Sequence, residues 1–508
     1  MSQPLQNINI SAPGFRGLNT EDSPVGLDPA FASIANNCII DKYGRIGARK
    51  GRDLLTTAAT PLGTSAGIAG LIEHTDTTGG NTVFSTGNNK IFSGTTTLTD
   101  VTPAATTITA DNWKMVNFDY HCYFFQKGHV PLIYSDHVGT LEKLSAHPTY
   151  AGTAPQGNEV LAAFGRLWVG DIAGDKGTLY WSGLLDGAVW TASDTGSIDL
   201  TRVWPTGFDE IVALVAHNGY LVIFGKRTIL IYSGATTPST MTLQDTIANV
   251  GCVARDSVQH TGTDVIFLSD QGVRSLGRVI QEKSLPLRDI SKNIRSDLLA
   301  LLSTQVTKLA SVYSASDAFY LLSFPDAKQV YCFDMRAPME DGSYRVTTWS
   351  NVTYLALARL ADGSVYIGDV AGISNYTGYY ENGATYRLSY YTHPMAFGDS
   401  SRLKMLKDMH VTFIGGQNAQ AYVFWSYDYT GDYRSQALSI SAGVLAEFNV
   451  SEFNVSTSQY SASIIIDKHS VKPSGAGTLA SIGVEVLIDN DPISIQEINI
   501  QALMGRMV

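Results

Sequence analysis

The chain has 508 residues, 44% of them hydrophobic and 16% charged. That is enough apolar material for a sizeable core and argues against wholesale disorder. Its 35 basic and 46 acidic residues leave a formal net charge of −11, which argues against a dedicated nucleic-acid binder, because such proteins carry a basic surplus that displaces counterions from phosphates.

Residues 1–55 read as an extended arm. Asn7-Ile8-Asn9-Ile10 alternates like a short strand, and Pro13, Gly14, Gly17, Pro24, Gly26 and Pro29 break any regular element after it. Asn37 to Ile40 is a second short strand turned by Asp41-Lys42-Tyr43-Gly44. Arg45, Arg49, Lys50 and Arg52 follow as the one dense basic cluster. It suits either contact with an acidic partner or phosphate, or a solvated strand edge where charge blocks unwanted pairing.

Residues 56–385 are expected to form a β-propeller of six or seven blades. The repeating cassette is clearest at Ile211 to Gly234, where two apolar runs flank His217-Asn218-Gly219 and a third follows Gly225-Lys226-Arg227. Asn-Gly between β-branched and aromatic runs is a strong hairpin signal, since both residues tolerate positive φ. Related cassettes can be anchored at Val83, Tyr123, Leu167, Leu221, Val265, Phe319 and Val365, at spacings of 40, 44, 54, 44, 54 and 46 residues. Such a period with several short strands per unit is a propeller signature. The first long spacing holds an irregular loop, 184–207. The second holds LRDISKNIRSDLLALLSTQV, with Ile290, Ile294, Leu298, Leu301 and Val306 at helical spacing and Asp289 or Ser291 as a cap. This one short amphipathic helix is expected to pack on a blade edge rather than to bind a partner.

Residues 386–508 read as a separate antiparallel sandwich or barrel, built from alternating strands such as KDMHVTFIGG, AYVFWSYDY, SQALSISAG, SASIIIDKH, SIGVEVLID and ISIQEINIQAL. NINI in the arm matches EINI at Glu497 to Ile500, which predicts that the arm returns to complete this domain and brings the termini together.

The residues offer no catalytic, cofactor or metal site. There is no phosphate-binding loop, zinc-binding helix, nucleophile elbow or calcium loop. Cys38, Cys122, Cys252 and Cys332 lack metal spacing and read as buried free thiols. Ser193-Asp194-Thr195-Gly196 and Ser269-Asp270-Gln271-Gly272 resemble the Asp-box turns of sialidase propellers but lack the closing aromatic. Asp489-Asn490-Asp491 reads as a turn rather than a calcium site. The N-terminus shows no secretory signal pattern and no apolar run approaches the ~18 residues of a membrane span, so the expectation is a non-enzymatic protein that folds in a cytoplasm.

Taken together, the opening NINISAPGFRGLNTEDSPVGLDPAFASIANNCIIDKYGRIGARKGRDLL, the central HNGYLVIFGKRTILIYSGA with ISKNIRSDLL downstream, and the late YIGDVAGISNYTG resemble the tail nozzle (hub) proteins of short-tailed bacteriophages. The order of these patterns spans nearly the whole chain. The opening has Phe15-Arg16-Gly17-Leu18 where a plain Gly-Gly-Leu turn is usual. The resemblance implies a structural subunit of a homohexameric ring in the virion tail, beneath the head-to-tail adaptor of the portal complex. The ring would extend the DNA-ejection channel, pass genomic DNA without sequence-specific binding, gate its exit, and anchor tail fibres or spikes. Within that reading the termini and the cluster of Arg45, Arg49, Lys50 and Arg52 are expected to dock the adaptor, and loops between blades, including 184–207, are candidates for the gate or the fibre dock. The alternative is a monomeric propeller that binds carbohydrate or protein.

Overall fold

The computed structural model describes residues 5–57, 67–104, 106–135, 139–205, 207–281, 289–305, 308–416, 419–440 and 466–507. Within these, seven small antiparallel sheets follow one another at 68–100, 114–143, 157–199, 211–248, 259–275, 310–350 and 356–375, numbered here blades 1 to 7. Every anchor residue lies in the second strand of its blade. Asn218 and Gly219 turn the blade 4 hairpin with φ of 50° and 80°, the left-handed region the Asn-Gly pair favours.

The blades stack as the repeat pattern demands, because the core is divided between neighbours. Phe84 and Ile91 of blade 1 pack with Phe124 and Leu132 of blade 2. Trp168 and Leu179 of blade 3 pack with Leu221 and Ile223 of blade 4. Ile68, Val83 and Phe92 of blade 1 meet Ile373 of blade 7, which closes the ring. Each such fully buried side chain contributes about 1.5–3 kcal/mol, and no blade could supply that burial alone. Blade 5 has three strands. Helix α1 (Leu276–Gln281) follows its third strand directly, and Leu276 and Val279 pack with Val222 and Phe224 of blade 4. The sequence reading did not foresee this helix.

The N-terminal arm is a strap. It contributes β1 (Leu5–Ser11), β2 (Gly17–Leu18), β3 (Phe31–Asn36), β4 (Cys38–Ile40), β5 (Ile46–Ala48) and β6 (Asp53–Leu54). The last of these crosses to the propeller and forms the fourth strand of blade 7, Leu54 opposite Ser374 and Asp53 opposite Asn375. The others join the C-terminal strands β7 (Tyr386–Thr392), β8 (Arg402–Gly415), β9 (Ala419–Tyr427), β10 (Arg434–Ile440), β11 (Ile466–Val471), β12 (Ala480–Ile488) and β13 (Ile493–Met507) in a two-sheet sandwich. Residues 461–465 of the expected SASIIIDKH strand lie outside the described residues.

One sheet runs β11-β8-β13, with β5 and β1 sharing the far edge of β13 and β4 beyond β5. Its rows are in register: Val471, Met409, Ile500 and Ile8 lie side by side, and so do His469, Val411, Ile498 and Ile10. NINI therefore pairs antiparallel with the EINI strand, Ile8 opposite Ile500 and Ile10 opposite Ile498. The second sheet runs β3-β7-β12-β9-β10 and continues through β2 and β3 into the outer strand of blade 6 (Arg345–Ser350). Propeller and sandwich thus share a ten-stranded sheet.

Helix α2 (Arg295–Gln305) follows a 3-10 turn at Lys292–Ile294. Ile290, Ile294, Leu298 and Leu302 are buried in the same core as Leu268 and Val273 of blade 5, so the stripe packs on a blade. Val306 lies outside the described residues. Ser291 does not cap the turn; its hydroxyl accepts the Val273 N–H at 3.0 Å, while Asp289 accepts the Ser291 N–H at 2.9 Å. The first turn of α2 is held from the arm instead. Glu21 accepts from Ser296 N–H and, at 2.9 Å, from Ser296 Oγ, and Thr20 Oγ1 donates to Asp297 at 2.7 Å.

Candidate functional site

The basic cluster does not form an exposed patch. The Arg49 side chain is 1% exposed, pairs with Glu381 at 2.8 Å and lies 4.4 Å over the Tyr386 ring. Arg52 binds Glu381 at 2.5 Å and also pairs with Asp369, whose carboxylate is buried. Lys50 Nζ lies 3.1 Å from Asp317, and Arg45 lies 4.3 Å over the Tyr43 ring with Asp41 at 3.9 Å. Adaptor docking therefore does not fit Arg49 and Arg52. Their charge is spent on Glu381, in the segment that follows blade 7, and on Asp369 of blade 7, since an unpaired cation buried at this junction would be strongly destabilising. Lys50, 41% exposed, keeps the most access to solvent of the four.

A second set of charges closes the propeller axis. Arg255 sits in the turn leading into blade 5, almost fully buried. Its Nη1 donates to the Asn158 carbonyl at 2.6 Å and to Asn158 Oδ1 at 2.9 Å, on blade 3. Its Nη2 donates to Asn112 Oδ1, at the entry to blade 2, and both Nε and Nη2 bind Asp256 at 3.0 and 2.9 Å. Ser311 of blade 6 donates to the Asp256 carbonyl at 2.6 Å. Beside this network, Glu159 of blade 3 accepts the Leu214 N–H of blade 4 at 3.0 Å and lies 3.6 Å from Lys114 of blade 2. One guanidinium thus reaches across the ring and plugs it.

The electrostatics follow from burial and pairing. Burial pushes the Glu159 carboxyl above the usual range, against the opposing pull of Lys114 and Arg255. Burial also works to raise Asp256, but Arg255 and Lys114 outweigh it and hold that carboxyl below the usual range. Beside the network lies a cavity of about 660 Å³ at the entry to the inner strands, with a mixed lining: apolar Leu71, Met115, Leu309, Leu355 and Leu357, polar Asn112 and Gln259, and charged Asp111, Lys114, Asp256, Lys308 and Asp326. None of the predicted cluster lines it. The sequence gives no advance sign of the plug, because its members are isolated in the chain and meet only when the ring closes.

The opposite face of the propeller carries the hairpin tips. Tyr120 of blade 2 is 63% exposed, and Leu184 and Leu185 of blade 3 are 55% and 62% exposed. The segment 184–207 is not one loop: Gly196–Asp199 within it is the outer strand of blade 3. Leu185 N–H donates to Gly165 at the blade 3 hairpin tip, and Asp194 accepts the Leu184 N–H at 2.9 Å. Gly187 packs so closely on the Tyr123 ring that a Cβ there would lie 2.6 Å from it. Asp119 and Asp186 both border Tyr123. Arg166 pairs with Asp194 at 3.1 Å, while Asp119 and Asp186 give this apolar face an acidic border.

The remaining candidates are structural. All four cysteines are free and buried, and burial pushes their thiols up. Ser269 Oγ donates to the Gly272 carbonyl within a hairpin turn, and Asp489 accepts the Tyr380 hydroxyl at 2.6 Å. Among the described residues no group of three or more His, Cys, Asp or Glu side chains is placed to hold a metal ion, and no helix is long and apolar enough to cross a membrane.

No protein-family model matches the chain, and no curated protein matches it. Solved structures do. The WD40 domain of Neurospora crassa Pan2 is 10% identical, with 65% of this chain and 94% of that one covered at a TM-score of 0.38. YCF48 bound to D1 peptide is 9% identical over 62% and 93% at 0.37. Hsv2 of Kluyveromyces lactis is 10% identical over 56% and 98% at 0.31. At these scores the likeness adds nothing to what the seven sheets show by themselves.

Proposed function

We propose that this chain is a non-enzymatic assembly protein and, in its finer form, a subunit of the tail nozzle of a short-tailed bacteriophage. The observation that carries the reading is the strap: the opening stretch on which the resemblance rests holds propeller and sandwich in one body through β1–β5, β6 and the Arg49 and Arg52 ion pairs. A subunit that must bear the load of a ring gains from such a tie.

In this reading the chain forms a homohexameric ring below the portal adaptor, with closed heterologous contacts. Genomic DNA passes through the lumen the copies enclose, not along a propeller axis, since Arg255 shuts that axis. The charge of −11 and the inward pairing of the arm's cations suit a conduit along which a polyanion slides. Fibres or spikes dock on the Tyr120–Leu184–Leu185 face, where an apolar centre with an acidic rim fits a partner with an apolar knob and basic flanks.

Quantitative mass spectrometry of the purified virion, scaled to the capsid protein, tests the reading. About six copies per particle is the expected result for a closed ring, and absence from the particle ends it. The second reading is a monomeric propeller that takes a peptide or glycan in its axial cavity, and the 660 Å³ volume with its mixed lining favours it. A chain absent from virions that binds a peptide or glycan, with binding lost on Leu355→Trp, would establish that alternative.

A further inference from the structure

We infer that copies of this chain join by extending one sheet, the β1 edge of one copy pairing with the β11 edge of the next. The inference rests on the ring reading above and supplies its contact. The sheet β11-β8-β13-β1 ends in two strands that each have one strand neighbour among the described residues. They lie at opposite sides of the same sheet and in the same rows, Ser470 with Asn9 and Val471 with Ile8.

Two different edges of one sheet, neither covered by a further strand among the described residues, make a head-to-tail contact, the kind that generates rings, whereas a two-fold contact would bring like edges together. Direction agrees as well. β1 is antiparallel to β13, β13 to β8 and β8 to β11. If the sheet continues into the next copy, β11 therefore meets β1 antiparallel, the more stable ladder. The ten-stranded sheet offers no such pair: among the described residues one end is β10, while the other is the inner strand of blade 6.

The composition of β1 supports pairing. Monomeric proteins protect exposed edges with charge, proline or a bulge. β1 reads LQNINIS over seven residues, with no charge, no proline and an unbroken register against β13, whereas its proposed partner β11 reads IDKHSV and carries Asp467 and Lys468. Leu5, Gln6, Asn7 and Asn9 are exposed. Beside it, Gln6 and Ile8 border a groove of about 680 Å³ that Val25, Phe397 and Met504 also line, which provides room for side chains of an added strand.

The test is a disulfide across the edge in the full-length protein. Within one copy Asn9 and Ser470 are three strand spacings apart, about 14 Å, too far for a disulfide. Asn9→Cys/Ser470→Cys, and Asn7→Cys/Ser470→Cys for a register shifted by two, are oxidised at the highest soluble concentration and run without reductant. The expected result is a reducible ladder beyond the dimer from at least one double variant, and no more than dimers from single variants. Asn7→Lys should leave the thermal midpoint unchanged and raise the concentration needed for oligomers at least tenfold. Monomers alone, or oligomers unaffected by Asn7→Lys with no ladder, overturn the edge contact. A virion copy number of about six without a ladder leaves the ring standing and removes this contact. A ladder from a chain absent from virions keeps the contact and removes the nozzle.

Discussion

Glu159 is the residue where burial sets the chemistry most plainly. Its carboxyl is raised above its unfolded value, so the folded chain holds that proton more tightly than the unfolded one. The stability this adds is complete below the unfolded carboxylate range and is lost as pH rises through the folded value. Glu159→Gln keeps an oxygen for the Leu214 N–H and removes the charge. It should leave the thermal midpoint unchanged near pH 4 and raise it by about 1–3 °C at pH 8, read by calorimetry at both values. An unchanged difference between the two pH values would contradict it. Little of this was legible in the sequence. Arg255, Asn112, Asn158 and Glu159 belong to no motif, and only ring closure makes them neighbours. Asn218-Gly219 was legible because a hairpin turn is decided by two adjacent residues.

Elements were legible in proportion to how local their cause is. The second strand of each blade announces itself by a β-branched or aromatic run beside a turn. β6 has two residues, Asp53 and Leu54, and nothing in them signals the seam of the propeller. Arg52→Ala should expose that dependence, since it leaves the Asp369 carboxylate buried without its cation. A loss of about 3–5 kcal/mol is expected, with faster amide exchange at Gly372–Asn375; exchange that is unaltered there would mean β6 is held by other contacts. The α2 stripe was read correctly at Ile290, Ile294 and Leu298, but its cap comes from Glu21, far away in the chain. Glu21→Ala should cost about 1 kcal/mol in urea unfolding, and Glu21→Gln less.

At the scale of the molecule, the strap and the shared sheet leave no hinge between propeller and sandwich. Heating should give one calorimetric transition with equal calorimetric and van't Hoff enthalpies, whereas two resolved peaks would mean that the parts unfold separately. The return of NINI to EINI was readable because the two segments share a pattern. The continuation of blade 6 into the sandwich was not, because it depends on the parallel pairs Gly17–Val346 and Asn36–Thr348, and parallel pairing leaves no turn in the sequence to mark it. The same strap sets a clock on synthesis. Leu5 is made about 500 residues before its partner Leu503. At roughly 5–20 residues per second, β1 waits on the order of half a minute or more for β13, with its apolar side chains uncovered. Nascent chains should therefore depend on chaperones until β13 has been made.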